Sequence, residues 1–278
     1  MIKRLSSGPY LFWMLMFVIV PIVMILAFSM VTVTSGGDWS FSLSNFSRAF
    51  DPIYIAVLGR SLKIALEATF ICFILGYPMA MILAKMPVKY RTFSVMLFVV
   101  PMWMNFLLRT YAWMTILGKN GIINGLLSLL GLPNVTFLYT EGAVLLGMVY
   151  NFLPFMVLPI YTVLMKMDQS LVEAAEDLGG DKRTVFRKVI FPLSIPGILS
   201  GVSMVFMPSV STFVISNLLY GGQYMLIGNL IEQQFLVVND WNFGSAVAMI
   251  LMLLILASMA IMNRFGGGNP EERGANLW

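Results

Sequence analysis

No charged side chain occurs between residues 9 and 31. A helix of about 20 mostly apolar residues crosses the hydrocarbon core of a bilayer. Lipid offers no partner for backbone N–H and C=O groups, so a spanning segment must satisfy them itself. Comparable segments occupy 66–84 (interrupted by Glu67), 92–117 (interrupted by Arg109), 142–165, 191–216 and 243–262. The sequence therefore predicts an all-α polytopic membrane protein with six transmembrane helices. Lys3 and Arg4 precede the first segment, as in a secretory signal. Its apolar run is too long for a signal core and no small-residue cleavage site follows, so it counts as a span.

Composition narrows the function. The chain is 59% hydrophobic and 11% charged, with a formal charge of +4. No soluble segment interleaves a basic stripe with stacking aromatics, which argues against nucleic acid as a partner. There is no His, and Cys72 is the single cysteine. That excludes an internal disulfide, a cysteine metal cluster, the usual zinc sites and histidine acid–base catalysis. No catalytic residue, metal site or cofactor is expected in this chain.

Lys and Arg are unevenly shared between the two sides that six spans define. Lys3, Arg4, Lys85, Lys89, Arg91, Lys166, Lys182, Arg183, Arg187, Lys188, Arg264 and Arg273 fall on one side. Arg48, Arg60, Lys63, Arg109 and Lys119 fall on the other. The positive-inside rule puts the first set in the cytoplasm, with both terminal segments, 1–8 and 265–278, and a transmembrane body over 9–264. Residues 189–231 hold no charge, more than one span needs. Gly221-Gly222 with Asn217, Gln223 and Asn229 suggest a re-entrant or interfacial segment there.

The densest charge lies in "EAAEDLGGDKRTVFRKVIFP", 173–192. Ser170 and Glu173 have capping-box spacing, predicting a helix that starts near Leu171. Leu171, Ala174, Ala175 and Leu178 then share a face. Gly179-Gly180 ends the helix, and Asp181 caps a second one carrying Lys182, Arg183, Arg187 and Lys188. The result is either a solvated juxtamembrane hairpin or a smooth, charged surface for a partner.

Glu173-Ala174-Ala175, then Gly179, then Val189-Ile190-Phe191-Pro192 resembles the EAA loop of ABC-importer permeases, with Val189 and Phe191 as mild departures. "LGYPMAMILAKMP", "VPMWMNFLLRTYAW", "LPFMVLPIY" and "LIGNLIEQQF" are similar to the permeases of spermidine/putrescine importers. The resemblance implies a type I ABC-importer fold whose 168–192 segment holds a cytoplasmic coupling helix. Glu173, Ala174, Ala175 and Gly179 would seat on a cytoplasmic ABC ATPase dimer, which carries ATP and Mg. A second, similar permease and an extracytoplasmic polyamine-binding protein would complete the machine in a bacterial inner membrane. Permeases for opines, ferric iron, thiamine or sulfate share that architecture, and an ATP-independent secondary transporter is a further alternative. The chain has no phosphate-loop signature of its own.

Several residues qualify for a substrate pathway. Glu67 is an intramembrane carboxylate, or else a structural partner of Lys63 at i, i+4. Trp103, Asn105, Tyr111 and Trp113 could line a path for a cationic amine, or form an aromatic belt beside a snorkelling Arg109. Glu232 and Asp240 stand in a segment, 217–242, that lacks Lys and Arg. With Tyr224 and Trp241 they could form an acidic outer vestibule, an ordinary solvated loop or a docking face.

Overall fold

Hydrogen-bond demand in lipid dictates helices, and helices are what form. The computed structural model describes residues 8–33 and 39–265. Lys3, Arg4, Arg273 and nearly all of the two terminal segments lie outside the described residues. Helix α1 (Gly8–Ser29) leads into an antiparallel hairpin of β1 (Val31–Val33) and β2 (Trp39–Phe41), with Val31 opposite Phe41. Then come α2 (Ser44–Ala49), α3 (Pro52–Lys85), α4 (Val88–Trp103), α5 (Phe106–Leu117) and α6 (Ile122–Leu129). They are followed by α7 (Glu141–Lys166), α8 (Gln169–Asp177) and α9 (Lys182–Ser211). The last are α10 (Val214–Tyr220), α11 (Ile227–Gln233) and α12 (Trp241–Phe265). Among the described residues five helices are long and apolar enough to cross a membrane, and a bent pair makes a sixth if taken as one span.

That bent pair corrects the expected third span. Residues 92–117 do not form one helix: α4 stops at Trp103, and α4 and α5–α6 meet at 94°. Asn105 accepts a hydrogen bond from the Leu107 N–H at 2.8 Å and so caps α5. An Asn N-cap starts a new helix where hydropathy alone sees only a continuous apolar run. Elsewhere boundaries move. Helix α3 extends well before residue 66, and α9 ends at Ser211, with Thr212 extended before α10. The 217–242 segment resolves into the end of α10, a turn through left-handed Gly221 and Gly222, helix α11 and a wide turn over Gln234–Val238.

The described residues form two compact units, one from 8–60 with 225–256 and the other from 61–224 with 257–265. In the first, Phe12, Trp13 and Phe17 on α1 are mostly exposed, as suits a helix apolar on every face. Val20 donates to Leu15 O through a π turn just before Pro21. Proline lacks an N–H and its ring crowds the preceding turn, and the widened turn accommodates both. The end of α1 leaves carbonyls without helical partners. Asn242 Nδ2 donates to Phe28 O and Val31 O at 3.0 and 2.7 Å, and Asn45 Nδ2 reaches Val31 O at 3.0 Å. Asp240 then starts α12 by accepting from the Phe243 N–H at 3.0 Å. Its other oxygen meets Arg48 Nη1 at 2.8 Å, and that guanidinium lies 4.0 Å from the centre of the Phe243 ring.

In the second unit α7 is the central helix. A Cβ on Gly201 of α9 would meet Met156 Sδ at 2.8 Å, and one on Gly76 of α3 would meet Met156 Cγ at 2.9 Å. Gly197 lies against the backbone of Pro159 and Ile160. Small residues let helices approach closely where lipid supplies no hydrophobic drive for association. Tyr77 Oη and Ser194 Oγ, 3.0 Å apart, fix α3 to the start of α9. Met148, Met156, Val157 and Ile160 are fully buried on α7.

Two outcomes follow. Gly197→Val places carbon against backbone that cannot move aside, so it is expected to cost about 1–3 kcal/mol, the range for overpacking. Gly59→Ala, with nothing within 4 Å, is expected to leave the detergent unfolding midpoint unchanged or raised. Asp240→Asn keeps a capping oxygen and loses only an exposed ion pair, a change of about 1 kcal/mol or less. Asp240→Ala also loses the cap, about 0.5–2 kcal/mol more. Equal midpoints for the two Asp240 variants would remove the capping role.

Candidate functional site

The motif segment is built from local hydrogen bonding. After α7 the backbone turns extended at Met167, and Asp168 accepts from the Ser170 N–H at 3.0 Å to start α8. This corrects the expected capping box: the cap is Asp168 rather than Ser170, and the helix begins at Gln169. At the other end Gly179 donates to Glu176 O at 2.9 Å and Gly180 donates to Ala175 O at 3.0 Å. That pair of bonds is a Schellman motif, and it needs a left-handed residue, which Gly179 supplies with φ +80°. Gly180 is constrained differently, because a Cβ there would sit 2.6 Å from Ala175 O. Asp181 accepts from the Thr184 N–H at 3.2 Å and opens α9, as expected.

Both capping carboxylates are held below the usual aspartate range. For Asp168 the main cause is the Ser170 backbone N–H, and for Asp181 it is the Thr184 hydroxyl, followed by the Thr184 N–H. A lowered folded value means that each cap contributes above the unfolded pKa of about 3.9 and is lost as pH falls through the folded value. The segment is thus fully capped throughout the neutral range.

The surface of α8 is divided. Leu171, Glu173, Ala174 and Leu178 are exposed, Leu178 at 90%. Val172 and Ala175 are half-buried, and Val185 of α9 is buried behind them. An apolar strip with a carboxylate beside it therefore faces away from the rest of the chain. The resemblance names Glu173, Ala174, Ala175 and Gly179, and all four fall on α8 or on the turn that ends it. Sequence reasoning missed Asp168 as the cap, and it had no means of assigning the contact that restricts Gly180, although the glycine pair was visible.

The pathway candidates are scattered. Glu67 Oε1 lies 3.7 Å from Lys63 Nζ, which bonds more closely to Glu141 Oε1 at 2.6 Å. Glu141, in the first turn of α7, was not anticipated. Trp103 ends α4 at 84% exposed, and the side-chain oxygen of Asn105 is committed to its cap. Arg109 does not snorkel: it is 8% exposed, and its Nε has no hydrogen-bond partner. Trp113 packs edge-on against Tyr150, with Tyr111 exposed. Tyr224 stands half-exposed beside Tyr220. Glu232 is half-buried on α11, while Trp241 packs against Phe28 and Phe235. The expectation that no base stands near Asp240 is overturned by Arg48, which reaches it from far earlier in the chain.

Comparison with known proteins agrees with the helical frame. The family described as "binding-protein-dependent transport system inner membrane component" matches residues 76–266. The spermidine/putrescine transport system permease protein PotB of Escherichia coli is 40% identical over 247 residues, 87% of this chain and 90% of that protein. Its Haemophilus influenzae counterpart is 39% identical over 87% of this chain and 86% of its own length. A chain from the crystal structure of a bacterial ABC transporter involved in import of the acidic polysaccharide alginate superposes with a TM-score of 0.80. It shares 17% identity over 95% of this chain and 94% of its own. The same transporter, in complex with an alginate pentasaccharide-bound periplasmic protein, gives a TM-score of 0.81 over 96% and 94% of the two chains at 17% identity. The likeness in structure is one of fold, whereas the family match spans well over half of the sequence. This chain belongs to the inner membrane components of binding-protein-dependent transport systems.

Proposed function

We propose that this chain is the membrane-spanning permease subunit of an ATP-driven importer for polyamines, spermidine and putrescine among them. The observation that carries the substrate class is the 40% identity, over most of both chains, to a spermidine/putrescine permease. In this reading residues 9–264 form the permease domain and half of the translocation pathway. A second, similar permease supplies the other half. An extracytoplasmic binding protein delivers cargo, a role in keeping with the periplasmic protein bound to the alginate transporter.

Energy comes from a separate cytoplasmic ATPase dimer holding ATP and Mg, and this chain performs no covalent chemistry. The exposed strip of Leu171, Ala174 and Leu178, with Glu173 beside it, is the surface that seats on the ATPase. Ala175 and Gly179 complete the coupling segment, 168–192. The Lys and Arg distribution supports a multi-pass orientation in the inner membrane with both termini cytoplasmic. Closure of the ATPases on ATP would move α8. Because α8 joins α7 through two extended residues, Met167 and Asp168, and α9 through one glycine turn, that movement passes into the spans and opens the pathway by alternating access. Of the pathway candidates, Glu67, Trp103, Asn105, Tyr224, Glu232 and Trp241 remain proposals. Asp240 serves first as a cap and an ion-pair partner.

Vesicles containing the complete complex, its binding protein and internal ATP are expected to accumulate labelled spermidine or putrescine. No accumulation of either, with ATP turnover still stimulated by the binding protein, would discard the substrate while retaining the machine. Glu173→Lys or Gly179→Leu is expected to leave insertion intact and lower transport by at least about tenfold, since a charge reversal or a strained αL residue disrupts a packed contact by more than ~1.4 kcal/mol. Normal uptake together with normal ATPase co-purification in both variants would remove the coupling assignment.

A further inference from the structure

The inner side of α8 does not close onto the spans. It roofs a cavity of about 440 Å³ whose walls come from the ends of α3 and α7, the start of α4, α8 itself and the start of α9. Three cations line this cavity, Lys85, Arg91 and Lys182, against one carboxylate, Glu176. Among the described residues none of the three has an ion pair. Arg91 Nη1 makes its hydrogen bond to Met165 Sδ, at 2.8 Å. A thioether is a weak acceptor and carries no charge to balance a guanidinium. Glu176 lies beyond salt-bridge distance of each cation, although it shares the cavity with them.

All three line one concave space, with Lys85 and Lys182 exposed and Arg91 half-buried, and the space has an apolar side. Met81, Leu164 and Ile190 line it beside the cations. Converging cations next to an apolar wall suit a ligand with a compact anionic head. Arg offers a planar fork of donors and Lys a point charge, the combination that binds phosphate oxygens. We propose that this cavity is a binding site for a phosphate-bearing group, held by Lys85, Arg91 and Lys182.

Two sources share that chemistry: the headgroup of an anionic phospholipid and a free phosphate from solution. Either would add a bridge between α8 and the ends of α3, α4 and α9, so occupancy would restrain α8 where its own chain leaves it hollow. The binding claim stands apart from the transport reading, because its test reads ligand retention and not uptake.

The test uses the complete complex in detergent, probed by native mass spectrometry with dioctanoyl phosphatidylglycerol, with dioctanoyl phosphatidylcholine and with inorganic phosphate. Lys85→Gln, Arg91→Gln and Lys182→Gln are compared singly and together, with exposed Lys119→Gln as the control. Affinity is expected to fall about fivefold for each cation removed, the order expected for one basic residue acting on an anionic headgroup. Lys119→Gln is expected to stay within about twofold, a shift smaller than one lost charge contact. If the triple variant does not assemble, the single variants carry the comparison. Cation-dependent retention of phosphatidylglycerol that phosphate does not displace assigns the lipid. Cation-dependent binding of phosphate itself assigns the soluble source. Equal retention of phosphatidylglycerol and phosphatidylcholine, or binding unaffected by every substitution, overturns the site.

Discussion

A backbone group freed at a helix end needs a partner, and within the membrane lipid supplies none. That single requirement explains much of the polar composition of an otherwise apolar chain. Asn45 and Asn242 take the carbonyls left over where α1 stops. Asn105, Thr140, Asp168, Asp181 and Asp240 satisfy the N–H groups where α5, α7, α8, α9 and α12 begin. Several polar side chains that look like site candidates in sequence are therefore structural in the first instance. Asn105 and Asp240 are the clearest cases: each uses a side-chain oxygen to start a helix. Where no short polar residue is at hand, the chain widens a turn, as it does ahead of Pro21.

What could be read from the sequence follows from the range of the interactions involved. The spans were legible because hydropathy sums over some twenty neighbours and tolerates single exceptions such as Glu67. Their ends were not, because an end is set by one or two hydrogen bonds. The break at Met104–Asn105 falls inside a run whose single charge is Arg109. The Schellman turn at Gly179 was legible from a glycine pair at the end of an amphipathic repeat. Its N-terminal counterpart was misassigned, since Asp168 and Ser170 are both good caps and only geometry distinguishes them. Contacts between distant segments left no trace. Arg48 reaches Asp240, and Lys63 is shared between Glu67 and Glu141; neither pairing of Arg48 nor the role of Glu141 has a periodic signature.

In the proposed coupling role the motif segment would make a mechanical connection with little structure. Helix α8 is held to its neighbours by two extended residues, two capped ends and a glycine pair. Its apolar strip is left outward, and a charged hollow is left beneath. If it couples as proposed, such an element would transmit displacement through its two capped ends.

Met156 packs where α3, α7 and α9 meet. It is fully buried between Gly76 on one helix and Gly201 on another, and its thioether fills space that both glycines leave open. An unbranched sulfur side chain adapts to small displacements of its surroundings better than a β-branched one does. Three spans thus meet on a compliant pad rather than a rigid wedge. The same position has a chemical vulnerability: a sulfoxide oxygen would arrive where a single carbon already has no room. Its complete burial is what keeps oxidants away from a side chain on which three helices bear.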